Sequence, residues 1–179
     1  FEVLVNKGTR VLGVAPGFPR TISEVELRKG IFEYYYLDKN NNYKFEAEKM
    51  IKKIKKKYDI IYIDNPNNPT GQIISISDIE KIVKYAKQQN IFVLIDEAYG
   101  DYMIKQNSAI TLVKKYDNVI VCKSASKAFG LPDQRIGYLV ADSLFIKAYN
   151  IMALPLPFTS LSKELFKYAI NNKNFVNES

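Results

Sequence analysis

Three short apolar runs in this chain each stop at a polar segment, and no other feature constrains the fold as much. Ile60-Ile61-Tyr62-Ile63 leads to Asn65-Pro66-Asn67-Asn68-Pro69-Thr70-Gly71, and Ile91-Phe92-Val93-Leu94-Ile95 to Asp96-Glu97-Ala98-Tyr99. Val119-Ile120-Val121-Cys122 leads to Ser124-Ala125-Ser126-Lys127. Short apolar runs alternating with amphipathic stretches predict an α/β chain, with a mostly parallel sheet and helices on both faces. Arg10–Val14, ended by Pro16-Gly17, and Ile31–Leu37 read as further strands. So does Ile136–Val140, which follows its neighbour too closely for a crossover helix. Helices are expected near Glu46–Tyr58, from a Ser77/Glu80 capping box toward Gln89, and over Asp142–Met152 and Ser160–Asn171. Pro155 and Pro157 break the last two apart. Ligands in open α/β sheets bind at the carboxyl ends of strands, so the three polar segments are expected to converge on one crevice.

Composition removes several chemistries from that crevice. The chain has no histidine, which excludes Ser-His and Cys-His nucleophile pairs, His-ligated metals and His acid–base catalysis. No metal is expected, and proton transfer must rest on Lys, Asp, Glu or Tyr. The single cysteine, Cys122, forbids an internal disulfide and reads as a buried strand thiol. The formal charge of +7 comes from 26 Lys+Arg against 19 Asp+Glu, but only Arg10, Arg20, Arg28 and Arg135 are arginines. The densest cluster, Lys52-Lys53-Ile54-Lys55-Lys56-Lys57, reads with Met50, Ile51 and Tyr58 as an amphipathic helix with a solvated basic face. Nucleic acid is therefore not an expected partner. No apolar run approaches the roughly 20 residues that span a membrane, so no membrane partner is expected either. The first residues carry no signal-peptide pattern, and cytoplasmic residence is the expectation. Residues 1–179 are expected to form one domain, and a start without Met on apolar sequence is expected of a piece of a longer chain.

The crevice is left with a selective set of side chains. Lys127 offers an amine that can condense with an aldehyde. Asp96 offers a carboxylate that favours a neighbouring cation. Ser124, Ser126 and Arg135, eight residues beyond Lys127, offer hydroxyl and guanidinium donors suited to a phosphate. Tyr99 and Asn68 add a phenol and an amide, and Phe18 an aromatic face. Singly, each has a plainer reading: a surface lysine, a turn-capping carboxylate, an Asn-Pro-Gly turn, a core aromatic. Together they suit an aromatic, phosphorylated, aldehyde-bearing cofactor.

In this order and spacing the chain resembles the class I/II aminotransferases, fold-type I enzymes that use pyridoxal phosphate (PLP). Ser126-Lys127-Ala128-Phe129-Gly130 and Pro157-Phe158-Thr159-Ser160 look closest to the histidinol-phosphate aminotransferase branch and its threonine-phosphate decarboxylase relatives. The resemblance implies the PLP-binding large domain of a homodimeric enzyme. It would move an amino group between an amino acid, or amino phosphate, and a 2-oxo acid through a Lys127 Schiff base. Lys127, Asp96 and Tyr99 would be catalytic. Lys127 would also carry the substrate Cα proton, and Asp96 would hold the proton on the pyridine nitrogen. Tyr99 and Asn68 would bond the ring oxygen, Ser124, Ser126 and Arg135 the phosphate, and Phe18 would stack on the ring.

Relative to that pattern, Asp133 stands where relatives commonly have Gly, and Ser124 where many have Thr. The resemblance also implies that the N-terminal arm, the segment whose amides help hold the phosphate, and the small C-terminal domain lie outside this sequence. A PLP decarboxylase or lyase would use the same cofactor residues. A non-catalytic module retaining the fold is the reading from another class.

Overall fold

The computed structural model describes residues 1–54, 57–153 and 158–172. Its elements are, in order, β1 (Arg10–Ala15), α1 (Pro19–Leu27), β2 (Ile31–Tyr36), α2 (Ala47–Lys53), β3 (Ile60–Asp64), α3 (Ile76–Gln88) and β4 (Phe92–Asp96). There follow α4 (Ile110–Val113), β5 (Val119–Ser124), β6 (Gly137–Ala141), α5 (Ser143–Met152) and α6 (Ser160–Asn171). The strands form one sheet in the order β2-β1-β3-β4-β5-β6. The first five are parallel, and β6 runs antiparallel to β5, as its short connection requires. The expected fold class therefore holds.

Burial on both faces explains why the central strands read as continuous apolar runs. Ile61, Ile63, Val93, Ile95 and Val121 point into a core shared with Met50 of α2, Ile79, Ile82, Val83 and Ala86 of α3, and Leu112 of α4. Ile60, Tyr62, Leu94 and Ile120 point the other way, toward Val25 of α1 and Phe145 of α5. The buried residues of α3 recur at helical spacing, which fixes that helix against the sheet by one stripe. Because β1 is flanked by β2 on one side and β3 on the other, the chain reverses its direction of travel across the sheet there. Such a switch point opens a crevice beyond the carboxyl ends of the strands beside it.

Two expected helix boundaries are corrected. The cap of α3 is Ser75, not Ser77: its Oγ accepts from the Asp78 backbone N–H at 3.2 Å and bonds the Asp78 carboxylate at 2.9 Å. The acid that meets the cap is thus Asp78, through the Ser75 hydroxyl, rather than Glu80, and Ser77 lies inside the helix. The helix expected to reach Tyr58 stops at Lys53, because Ile54 is already extended (φ −64°, ψ 123°). Ile54 and Tyr58 both enter the core, one by way of extended backbone, so the basic run is not one helical face. Lys55 and Lys56 lie outside the described residues, as do Pro155 and Pro157. No helix among the described residues is long and apolar enough to cross a membrane.

Beyond the helix, Lys57 joins a polar cluster at the edge of the sheet. Glu33 of β2 accepts from Lys57 Nζ at 2.7 Å and Tyr58 Oη at 2.8 Å, and pairs with Arg10. The Lys57 and Tyr58 donors hold the Glu33 carboxyl down at about 2. A depressed folded pKa contributes stability above the ordinary carboxyl range and loses it as pH falls through the folded value. The thermal midpoint of Glu33→Gln is therefore expected below wild type from neutral pH down to about pH 5. The two should converge as acid scanning calorimetry approaches the Glu33 pKa of about 2. A gap independent of pH would show that the cluster acts through packing alone.

Candidate active site

Three loops at the carboxyl ends of β1, β3 and β4, together with the β5–β6 connection, surround one cleft. It is lined by Phe18, Asp64, Pro66, Asn68, Asp96, Ala98, Tyr99 and Lys127. Five of the sequence-predicted residues are thus brought together: Phe18, Asn68, Asp96, Tyr99 and Lys127.

Phe18 is the residue before Pro19, which opens α1 at a position where its missing N–H costs nothing. That geometry leaves the Phe18 ring at the cleft, 45% exposed. Asn68 sits in a turn closed by Gly71, whose φ of +70° suits glycine. Gly71 N–H donates to Asn67 O at 2.8 Å, and Asn67 N–H to Gln72 O at 2.9 Å. The Asn67 side chain is buried and reaches both the Asp64 carboxylate (2.8 Å) and Pro16 O (3.1 Å). It ties the β3 loop to the β1 loop.

Asp96 ends β4. Its Oδ2 accepts from Tyr62 Oη at 3.0 Å and its Oδ1 from the Ala98 N–H at 2.9 Å. Both donors are neutral, so the carboxylate can still pair with a cation. Burial, reinforced by the Asp96 charge, pushes the Tyr62 phenol well above its ordinary range and keeps it a donor. Desolvation likewise raises the Cys122 thiol to about 12, although Cys122 is half-buried rather than the fully buried strand thiol expected from the sequence. Lys127 lies in the turn after β5, with Nζ 5.1 Å from the centre of the Tyr99 ring. The amide of Asn68, the phenol of Tyr99 and the amine of Lys127 have no hydrogen-bond partner among the described residues. Free donors, an amine, an aromatic wall and an available carboxylate fit an aromatic aldehyde with a basic ring nitrogen.

Ser124, Ser126 and Arg135 are not on the cleft wall. Ser124 Oγ accepts from the Ser126 N–H at 3.0 Å and closes the turn that carries Lys127. Arg135 is exposed in left-handed backbone (φ 51°), and its Nη1 donates to Pro132 O at 2.9 Å. It borders a separate depression with Lys123 and Tyr138.

Sequence reasoning missed Asp64 and Tyr62. Asp64 is 4% exposed, and burial raises its carboxyl above the usual range, with Asp96 adding to the effect. A signal was present: β3 and β4 both end in Ile-Asp, and in-register pairing sets Asp64 opposite Asp96.

The family model for aminotransferase class I and II matches residues 1–179. The histidinol-phosphate aminotransferase of Ruminiclostridium cellulolyticum is 33% identical over 163 residues, covering 90% of this chain and 44% of that one. The histidinol-phosphate aminotransferase of Methanococcus aeolicus is 32% identical over 179 residues, covering 99% of this chain and 47% of that one. The chain spans less than half the length of these two curated relatives. Its backbone is similar to the crystal structure of the histidinol-phosphate aminotransferase from Clostridium acetobutylicum, with a TM-score of 0.89 at 22% identity. That match covers 99% of this chain and 53% of the other.

One further carboxylate organises the Tyr99 loop from behind. Glu97 is fully buried and accepts from Ala109 N–H at 2.6 Å and Ser108 Oγ at 2.7 Å, with Lys123 Nζ at 3.9 Å. Lys123 is held in turn by Asp101 at 2.7 Å. Glu97→Ala would strand the buried Ala109 N–H, strip the part-buried Ser108 hydroxyl of its acceptor and take a neighbouring charge from Lys123, so urea denaturation of the full-length protein is expected to show a loss of about 3 kcal/mol.

Proposed function

The chain belongs to the class I and II aminotransferases, whose cofactor is PLP, and from that membership we propose that it is the PLP-binding part of an amino-group-transferring enzyme. Its substrates are an amino acid or amino phosphate and a 2-oxo acid. One observation carries this reading: Lys127, Asp96, Tyr99, Asn68 and Phe18, from four separate segments, line a single cleft. The name shared by the two relatives, histidinol-phosphate aminotransferase, supports an amino phosphate.

Bound PLP supplies an electron sink for bonds at the substrate Cα. Lys127 is assigned the covalent hold on the cofactor aldehyde and, once displaced, the carriage of the Cα proton. Asp96 would pair with the ring nitrogen and favour its protonated form. The Tyr99 phenol and Asn68 amide would hold the ring oxygen, and Phe18 would cover the ring and exclude water. Ser124, at the end of β5, with Ser126 and Arg135 on the β5–β6 connection, would be the phosphate donors. Residues 1–179 are accordingly part of the large domain, acting in a cytoplasmic homodimer. Nucleic acid is not among its proposed partners.

Borohydride reduction of the full-length protein with PLP, followed by peptide mass mapping, is expected to find the adduct on Lys127 and none in Lys127→Ala. Asp96→Asn should retain the adduct and lose roughly a hundredfold or more in amino-transfer rate. An adduct at another lysine, or none in wild type, would sink the assignment.

A further inference from the structure

We propose that Asp64 is a positioning residue of this cleft: its buried carboxylate fixes the Asn67–Asn68 turn and sets a second negative charge beside Asp96. The inference rests on the cofactor reading above. Asp64 Oδ1 accepts from Asn67 Nδ2 at 2.8 Å, and Oδ2 from the Asn68 N–H at 2.9 Å. Through Asn67 the same carboxylate reaches Pro16 O, two residues before Phe18. One side chain therefore anchors two walls of the cleft.

Anchoring uses both Asp64 oxygens as acceptors, which Asn or Ser could not reproduce, and it also places a buried charge at the cleft. Residues paired in parallel strands project to the same face, so Asp64 and Asp96 are neighbours, and both line the cleft. The titratable groups around the pair are the phenols of Tyr62 and Tyr99, the thiol of Cys122 and the amine of Lys127. Two adjacent carboxylates repel one another when the cleft holds no cation, and a protonated heteroaromatic ring relieves that repulsion. Asp64 thus raises the preference of the cleft for a cationic ring while holding Asn68 and Phe18 in place.

The test titrates full-length wild type, Asp64→Asn and Asn67→Ala with PLP, following the absorbance of the PLP–lysine adduct against PLP concentration and then against pH. Asp64→Asn removes the charge and, with one acceptor oxygen in place of two, keeps only one of the two anchoring bonds. It is expected to bind PLP about tenfold more weakly and to lower the pH midpoint of the adduct by about half a unit. Asn67→Ala cuts the tether but keeps the charge, so binding should weaken about fivefold with the midpoint unmoved. Wild-type affinity and midpoint in Asp64→Asn, whatever its thermal stability, overturn the proposal. Should Asp64→Asn not fold, Asn67→Ala decides, and unchanged affinity there overturns it. A wild-type protein that forms no adduct defeats the cofactor reading itself, on a protein whose Asp64 is intact, and this inference falls with it.

Discussion

The hydrogen-bond register joining β3, β4 and β5 sets Asp64 opposite Asp96 and Asp96 opposite Cys122, and the chemistry of the cleft depends on that alignment. Side chains alternate faces along a strand. A slip of one residue in β4 would carry Asp96 to the wrong side and drive Ile95 into the cleft. Burial on both faces prevents the slip. Ile61, Ile63, Val93 and Ile95 are wholly buried on one side, while Ile60 and Leu94 are nearly so on the other. Each such side chain contributes about 1.5–3 kcal/mol by leaving water, so misregistration would sacrifice several at once. Polar side chains at the strand ends inherit their placement from apolar ones in the strand middles.

Beyond the strand ends no ladder remains, and buried polar side chains take over its role. Asn65 Nδ2 donates to Ile74 O at 3.2 Å and its Oδ1 accepts the Ile74 N–H at 2.8 Å, as a paired strand residue would. Asn107 donates to the same Ile74 carbonyl at 2.9 Å and accepts the Ile76 N–H at 2.8 Å, steadying the start of α3. Glu97 does the same for Ala109 at the start of α4. Backbone groups in these loops are buried and need partners. Satisfying them with side chains leaves the loops rigid, so Asn68 and Tyr99 are held before any ligand arrives.

This division explains what the sequence disclosed. The strands, α5, α6 and the convergence of Asn68, Asp96, Tyr99 and Lys127 were legible because they follow from periodicity and from the rule that ligands sit at strand ends. The α2 terminus was not, because Lys52–Lys57 has the composition of a helix, while tertiary burial of Ile54 and Tyr58 ends it early. The Ser75 cap was missed because Ser75 and Ser77 are each followed, three residues on, by an acid, and only the fold decides between them. Asp64 escaped notice because its meaning depends on a partner 32 positions away, in the next strand.

The two ends of the proposed cofactor site are consequently built on different principles. At the ring end, Asp96 and Asn68 are fixed by the sheet and its braces, and their free valences face the cleft. At the other end, Ser124 Oγ is engaged with Ser126 N–H, and the Arg135 guanidinium with Pro132 O. Ser124 accepts in its bond and keeps its own O–H, and Arg135 keeps four of its five N–H groups, so a phosphate could be met without giving up either local bond. In the proposed site the ring would be oriented by the sheet, whereas the β5–β6 connection, with Gly130 at φ +58° and Arg135 at φ 51°, is shaped by local turns. A carboxylate pair at the sheet end meets a cation with groups already held in place, so little reorganisation is needed.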